Sequence, residues 1–267
     1  MTRLALATVF TLTLLGTAAG QESPYGVPKP LGGPIVGLDG RVRTGLDAHP
    51  VPSPWNLGID LGVSGSQGNT DTLKLRTGLD VRYDSPEDVA ILNVMYILNQ
   101  ANRGELENKG FALLRNQLPL DEGFGWYAQA QLEYDEFRAI KLRAGSHSGI
   151  AFNAWQDADQ LLSLRAGFGE SRQWGGMAPT WVAEGQGGFD YEYRITSRTK
   201  VTATADYFPD VKNFASYRVR VRASFDILLD PETNVLLRIG AFDRYDSQPY
   251  GSKRNDLDYY MTLQFRF

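Results

Sequence analysis

Three arginines at alternate positions, Arg218, Arg220 and Arg222, form the clearest local pattern in the chain that could do chemistry. Side chains at every second position of a β-strand share one face, so three guanidinium groups would project from the same surface. A guanidinium binds carboxylate or phosphate in a bidentate manner, and such a row could guide an anionic solute. Carboxylates on neighbouring strands could instead neutralise the row, and the many acidic residues favour this second interpretation.

Other charged residues recur at alternate positions of predicted strands, on the same face as the arginine row. Because the alternation separates them from the apolar side chains, we expect them to face the interior of the fold. Besides the three arginines, the residues that a solute would meet there are predicted to be Lys74, Arg76, Arg238, Glu133, Glu184 and Asp190.

Enzymatic chemistry has few candidate residues. Hydrolases commonly need histidine as a base, and only His49 and His147 are present. His49 lies in a proline-rich stretch without a rigid frame. The serines beside His147, Ser146 and Ser148, would point to the opposite face of a strand, which disfavours a Ser–His pair. Without cysteine and with two distant histidines, no metal-ligand cluster is evident. We therefore expect no catalytic residues, no metal and no cofactor.

The charged faces need β-strands to position them, and the sequence reads as a series of hairpins. From Trp55 onwards, apolar and polar residues alternate, and the last segment keeps this alternation without a break from Leu257 to Phe267. Two segments, Val89–Leu98 and Phe111–Leu118, are apolar on both faces for part of their length, and we predict them as strands too. The even number of segments, each long enough to cross a membrane when tilted, predicts an all-β fold: a transmembrane up-and-down antiparallel β-barrel of about 12 strands.

Loop lengths and aromatic residues orient the predicted barrel. Short turns such as Asp84–Glu87 alternate with longer connections such as Asn99–Asn108, and short turns belong to the periplasmic rim of outer-membrane barrels. Both chain ends would then lie in the periplasm. Aromatic residues gather near the strand ends, as in the interfacial belts of membrane proteins. This distribution argues against the alternative, a soluble antiparallel sandwich or a lipocalin-like fold.

The composition fits a protein of the bacterial cell envelope. The 267-residue chain has no cysteine and a formal net charge of −4. Its acidic and basic residues are interspersed, so we expect no nucleic-acid partner. Arg3, an apolar stretch and small residues predict a cleaved signal peptide over residues 1–20. Residues 21–54, rich in proline and glycine, are predicted to be a periplasmic linker, and residues 55–267 to be the outer-membrane barrel.

Three stretches resemble the YdiY-like family, which is named for a salt-induced outer-membrane protein and is catalogued as a domain of unknown function. They are the opening hairpin over residues 55–72 with its Gly68-Asn69-Thr70 turn, the segment Tyr134–Arg143, and the closing strand Asp258–Phe267. The resemblance covers about residues 55–267. It implies an outer-membrane barrel, with no established enzymatic activity and no ligand residues to transfer.

These observations favour a porin-like outer-membrane barrel with a narrow, charged lumen. It would be a passive channel for small polar or anionic solutes, or a structural envelope protein that responds to osmotic stress. The alternatives are a barrel hydrolase acting on lipid or peptide, and an adhesion surface on the outer loops, where Trp174–Met177 is the apolar candidate. The expected partners are outer-membrane lipid and the barrel-assembly machinery, which would read Phe265 and Phe267 in the last strand.

Overall fold

The computed structural model describes residues 54–66, 72–85, 87–102, 104–121, 123–175, 180–249 and 253–267. The predicted signal peptide and all but the last residue of the predicted linker lie outside these ranges. The Gly68-Asn69-Thr70 turn and the tip of the Trp174–Met177 loop lie outside them as well. Among the described residues, no helix is long and apolar enough to cross a membrane.

The described chain folds into twelve antiparallel strands that close into a barrel, each strand pairing with its neighbours in sequence and the first pairing with the last. The predicted transmembrane up-and-down barrel is therefore confirmed. The strands are β1 (Trp55–Ser66), β2 (Thr72–Asp84), β3 (Val89–Ala101), β4 (Gly104–Asp121), β5 (Phe124–Asp135), β6 (Ile140–Gln156), β7 (Gln160–Gly175), β8 (Thr180–Thr196), β9 (Thr199–Pro209), β10 (Tyr217–Asp230), β11 (Val235–Asp246) and β12 (Asn255–Arg266).

The seam between β1 and β12 is short. Its register runs from Gly58, opposite Arg266, to Leu61, opposite Leu263. Next to it, Leu57 and Phe267 exchange two backbone hydrogen bonds of 3.2 and 2.9 Å. The β1–β2 ladder, in contrast, extends over the whole of β1. Because the strand number is even, β1 begins and β12 ends at the same end of the barrel, called here the terminal end.

The outer surface is apolar in its middle and aromatic at both ends. Large apolar side chains such as Ile150 and Leu263 are exposed on it, as expected for a surface that faces lipid rather than water. Near both rims, aromatic rings lie within contact distance of each other, with centroid separations of 4.6–5.7 Å. These contacts are Trp55–Tyr83 and Phe124–Phe152 at the terminal end, and Tyr207–Tyr217 and Tyr217–Tyr245 at the opposite end.

The parts of β3 and β4 that are apolar on both faces line an apolar part of the interior. Ile91, Phe111 and Leu113 are buried on the inner side. The ring of Phe111 lies 5.5 Å from that of Phe242, which projects from β11 on the other side of the lumen. The inner face is apolar in this part of β3 and β4 because Met95, Phe111 and Leu113 pack against this ring, while the outer faces meet lipid.

Glycines allow β6 and β7 to approach each other closely. A Cβ atom on Gly169 would lie 1.9 Å from the carbonyl oxygen of Ser146, and one on Gly149 would lie 2.1 Å from the carbonyl oxygen of Ala166. No side chain fits into such gaps, since the opposing atoms belong to the backbone. The glycines thus fix the separation of β6 and β7, which carry part of the charged interior.

The β6–β7 turn at the terminal end is organised by Asp157. Its carboxylate accepts hydrogen bonds from the indole Nε1 of Trp155 at 2.9 Å and from the backbone nitrogens of Asp159 and Gln160 at 2.9 and 2.7 Å. These donors favour the ionised form and lower the pKa of the Asp157 carboxyl below its usual range. The turn is therefore short and well defined.

Candidate functional site

The arginine row on β10 projects into the barrel and is largely neutralised there. Arg218 Nη2 donates hydrogen bonds of 2.7 and 2.6 Å to the two carboxylate oxygens of Glu184, and Arg220 pairs with Glu133. Glu184 lies on β8 and Glu133 on β5. The sequence predicted partners on the strands adjacent to β10. Instead, Glu133 lies across the lumen, and Glu184 lies on β8, the second strand along the sheet from β10.

Arg222, the third member of the row, has a different environment. Its guanidinium lies over the rings of Phe111 and Phe242, 5.1 and 5.3 Å from their centroids. No carboxylate among the described residues lies within ion-pair distance of it. A cation over an aromatic face gains about 0.5–2 kcal/mol, and it keeps its net charge. Arg222 is therefore an interior cation available to an anion.

The first of three charged groups lies in the half of the barrel opposite the terminal end; we call it the Glu133 cluster. Arg143 and Arg218 both lie 3.8 Å from the Glu133 carboxylate, which Arg220 also contacts. Glu184 completes the cluster through Arg218. Since the arginines and Glu184 are more than nine-tenths buried, removing one partner would leave an uncompensated buried charge.

His147 is attached to this cluster in an arrangement that does not activate a nucleophile. Its Nε2 lies 3.1 Å from Glu184 Oε2, while the hydroxyl of Ser171 donates to Glu184 Oε1 at 2.8 Å. In Ser–His–acid catalysis the histidine lies between the serine and the acid, whereas here Glu184 lies between Ser171 and His147. Ser146 and Ser148 are exposed on the opposite face of β6. This geometry supports a structural role for His147.

A hydrolase assay on His147→Ala tests that role. We expect the wild-type barrel and the variant to be equally inactive towards phospholipid, ester and peptide substrates, because Glu184 rather than His147 contacts the serine hydroxyl. Release of fatty acid or of a chromogenic leaving group from the refolded protein measures this. A hydrolytic activity of the wild type that His147→Ala abolishes would show that the chain is an enzyme.

The second group, called the Asp190 cluster, crosses the middle of the lumen. Arg115 Nη1 lies 3.0 Å from Asp190 Oδ2, and Arg165 pairs with both Asp190 and Asp206, the latter at 2.9 Å. All four side chains are more than nine-tenths buried. Sequence reasoning included Asp190 but missed Arg115, which lies in the segment Phe111–Leu118, predicted to be apolar on both faces for part of its length. Lys109 and Arg115 lie two positions before and four positions after the inward-facing Phe111, so all three share one face of the strand. This spacing is the signal that could have revealed Arg115.

The third group, called the Arg238 cluster, lies towards the terminal end. One guanidinium contacts three carboxylates: Arg238 lies 3.1 Å from Asp60, 2.8 Å from Asp80 and 2.9 Å from Asp226. Arg266 adds a second positive charge 3.4 Å from Asp226. The carboxylates come from β1, β2 and β10, so one side chain connects strands that are distant in sequence.

Besides Arg222, two predicted lumen residues lie outside the three clusters. Lys74 pairs with Glu107 at 2.9 Å, and its side chain is 41% exposed, which places it at the barrel mouth opposite the terminal end. The guanidinium of Arg76 lies 3.5 Å from the ring centroid of Tyr260. Together with Arg222, Arg76 contributes positive charge to this part of the interior.

A cavity of about 70 Å³ lies where the three clusters meet. Its walls include Arg220 from the Glu133 cluster, Asp190 from the Asp190 cluster and Arg238 from the Arg238 cluster, as well as Arg222. A smaller cavity of about 30 Å³ adjoins Glu133. No group of three or more candidate metal ligands occurs among the described residues.

A closed antiparallel barrel with an apolar outer surface, an aromatic belt at each end and an ionic interior defines the class of transmembrane β-barrels. The chain belongs to the family described as "Protein of unknown function, DUF481", whose model matches residues 59–267. This is the YdiY-like family indicated by the sequence motifs, so that prediction is confirmed.

Several solved membrane barrels are similar to the chain at low identity. The NanC porin is 13% identical, with 79% of this chain and 97% of that chain covered and a TM-score of 0.41. The translocator domain of the autotransporter NalP from Neisseria meningitidis is 10% identical, with 84% and 90% covered and a TM-score of 0.40. The β domain of the Bordetella autotransporter BrkA is 12% identical, with 80% and 98% covered and a TM-score of 0.32. No curated protein sequence matches the chain.

Proposed function

We propose that the protein is an integral outer-membrane barrel that passes ions and small polar solutes along a narrow path through its charged interior. The observation that carries this proposal is the cavity of about 70 Å³ between the three clusters. A water molecule occupies about 30 Å³ of the liquid and needs polar partners, and this cavity offers both space and charged walls. The clusters on either side of it limit the path to small solutes.

Arg222 gives the path a preference for anions. It borders the cavity, and no carboxylate in the described part of the chain lies within ion-pair distance of it. The guanidinium of the nearby Arg76 likewise lies over an aromatic ring, that of Tyr260. Fixed charges that line a constriction attract counter-ions and repel ions of their own sign. Anions are therefore expected to permeate better than cations.

Planar-bilayer recording of the refolded protein tests the channel. We expect a small conductance, with a reversal potential in a KCl gradient that indicates anion preference. Arg222→Glu should shift the preference towards cations, because one positive charge on the cavity wall is replaced by a negative one. Lys212→Glu, on the exposed β9–β10 connection, is the matched charge reversal outside the lumen and should leave the preference unchanged.

A refolded barrel without conductance would contradict the proposal of a channel. The result is decisive if neither the whole mature chain nor a variant that lacks residues 21–54 conducts ions. It would support the other half of the sequence-based expectation, a structural protein of the envelope that responds to osmotic stress.

The proposal places the terminal end of the barrel in the periplasm. Its turns have two to four residues, while the β9–β10 and β11–β12 connections at the opposite end have seven and eight, residues 210–216 and 247–254. The β3–β4 connection at that opposite end has only two residues, 102–103, so the prediction of a longer connection over Asn99–Asn108 was wrong, because β3 and β4 continue into this segment. Short turns are periplasmic and longer loops extracellular in outer-membrane barrels. The exposed ring of Phe267 at this end would then be accessible to the periplasmic assembly machinery.

Single cysteines test this orientation directly, because the chain has none of its own. We expect Lys212→Cys to react with a membrane-impermeant maleimide on intact cells, since it lies on a longer, extracellular loop. Arg198→Cys, in the β8–β9 turn, should react only after the outer membrane is permeabilised. The reverse labelling pattern would place the termini outside the cell.

A further inference from the structure

The lipid-facing surface is not smooth, because a groove of about 400 Å³ crosses it from β3 to β8. Its floor consists of small side chains, among them Ala112, Ala130 and Ala144, which alternate with the leucines Leu114 and Leu132. These five residues lie on three adjacent strands, where Leu114 is opposite Ala130 and Ala112 is opposite Leu132. The groove therefore follows the rows of paired residues across the strands.

The groove is long enough for one acyl chain. Its rows of paired residues extend from Leu92 on β3 through β4, β5 and β6 to Glu170 on β7. Four strand spacings give a length of about 19 Å, whereas one leaflet of a ~30 Å hydrocarbon core is about 15 Å thick. Because barrel strands are tilted, a row perpendicular to them runs obliquely through the membrane.

One end of the groove is charged, which is unusual for an outward face. Arg172 lies between the rings of Trp174 and Trp181, 5.1 and 5.2 Å from their centroids. Its Nε is buried and has no hydrogen-bond partner. No carboxylate in the described ranges lies within ion-pair distance of its guanidinium. Glu170, two positions earlier on the same face, is exposed.

The position of Arg172 along β7 indicates why such charges are tolerated. Gln160 begins β7 at the terminal end, and Arg172 lies near the other end of the strand. An arginine on the lipid face costs about 2–4 kcal/mol at the bilayer midplane but only about 0–1 kcal/mol near the interfaces. The two tryptophans beside it are typical of the headgroup level. Arg172 and Glu170 thus face lipid headgroups, and the apolar groove extends from them into the hydrocarbon.

We propose that this groove binds a lipid with a zwitterionic headgroup, with its phosphate on Arg172, its ammonium group on Glu170 and one acyl chain along the alanine floor. The pair of opposite charges selects the headgroup: a purely anionic lipid would satisfy Arg172 but would be repelled by Glu170. The site requires the membrane setting of the proposed function but not the channel, since it lies on the outside of the barrel.

Native mass spectrometry of the barrel released from detergent micelles tests the site. Phosphatidylethanolamine and phosphatidylglycerol with identical acyl chains are the two probes. We expect one retained phosphatidylethanolamine and weaker retention of phosphatidylglycerol. Arg172→Gln should weaken phosphatidylethanolamine binding about tenfold, since a hydrogen bond between charged groups is lost. Glu170→Gln should abolish the preference between the two lipids.

Two further variants separate the apolar and polar parts of the site. Ala130→Phe fills the floor of the groove and should reduce retention of both lipids without altering either charge. Arg198→Gln, in a turn at the terminal end, is the matched loss of an exposed arginine and should bind as the wild type does. Heat-modifiable gel mobility verifies that each variant is a folded barrel.

The proposal is overturned if Arg172→Gln retains phosphatidylethanolamine as well as the wild type does, or if Ala130→Phe has no effect. A wild type that prefers phosphatidylglycerol would show an anionic-lipid site and would also refute the assignment of Glu170. Conductance of the same samples distinguishes this failure from failure of the channel, since none of these substitutions changes a lumen residue.

Discussion

Arg238→Ala is expected to destabilise the barrel by about 3–5 kcal/mol, the usual cost of removing one partner from a buried ionic group. Arg238 is the cation shared by Asp60, Asp80 and Asp226. Asp226 is 1% exposed, so water does not solvate it in the folded barrel. Without Arg238 the three carboxylates repel one another, and the remaining Arg266 contacts Asp226 alone among them. Urea-induced unfolding in lipid vesicles measures the loss.

Arg222→Ala is the matched control for this substitution. Both arginines line the same cavity, and they project from the adjacent strands β10 and β11. Arg222 contacts aromatic rings instead of carboxylates, so its removal should cost only about 1 kcal/mol. Equal destabilisation by the two substitutions would mean that lost packing volume, rather than uncompensated charge, determines the effect.

Gly169→Ala is expected to destabilise the barrel by about 1–3 kcal/mol or to prevent its assembly, although only one methyl group is added. The new Cβ would lie 1.9 Å from the carbonyl oxygen of Ser146 and 2.7 Å from the Cα of His147. Backbone atoms cannot rotate away as a flexible side chain can, so β6 and β7 would have to separate. Vesicle refolding, monitored by heat-modifiable gel mobility, shows both the yield and the stability.

Gly187→Ala provides the comparison, because a Cβ there has no heavy atom within 4 Å. The added methyl group should change the free energy of unfolding by no more than about 0.5 kcal/mol. If the two alanine variants behaved alike, the close approach of β6 and β7 would not constrain the fold.

The alternation of polar and apolar residues was sufficient to assign side chains to the inner or outer face of the barrel, but not to identify their ion-pair partners. The period of two placed Arg218 and Arg220 inside because it depends only on local strand geometry. Their partners, Glu184 and Glu133, could not be predicted, since they lie on strands that do not pair with β10 and approach it only when the sheet curves and closes. The pairing is a property of the closed ring, not of any hairpin.

Two residues show where alternation misleads. Arg115 was not recognised as a lumen residue because its neighbours on the inner face of β4, Phe111 and Leu113, are apolar and pack against Phe242. Arg172 lies on the outer face, which was expected to be apolar. The long strand β7 extends to the headgroup level, where a charged side chain costs little free energy. In both cases the environment of a strand face changes along or around the barrel, and a short sequence window contains no information on that change.

The short β1–β12 seam has a consequence for the order in which the barrel forms. It joins the two strands that are farthest apart in the chain, whereas every other ladder joins strands consecutive in sequence. Pairing of distant segments carries the largest loop-closure entropy, so we expect this ladder to form last. Until then β1 and β12 are open edges, each able to pair with a foreign strand. The β1–β12 ladder has only four residue pairs in register. The closed barrel is therefore expected to open most easily at this seam.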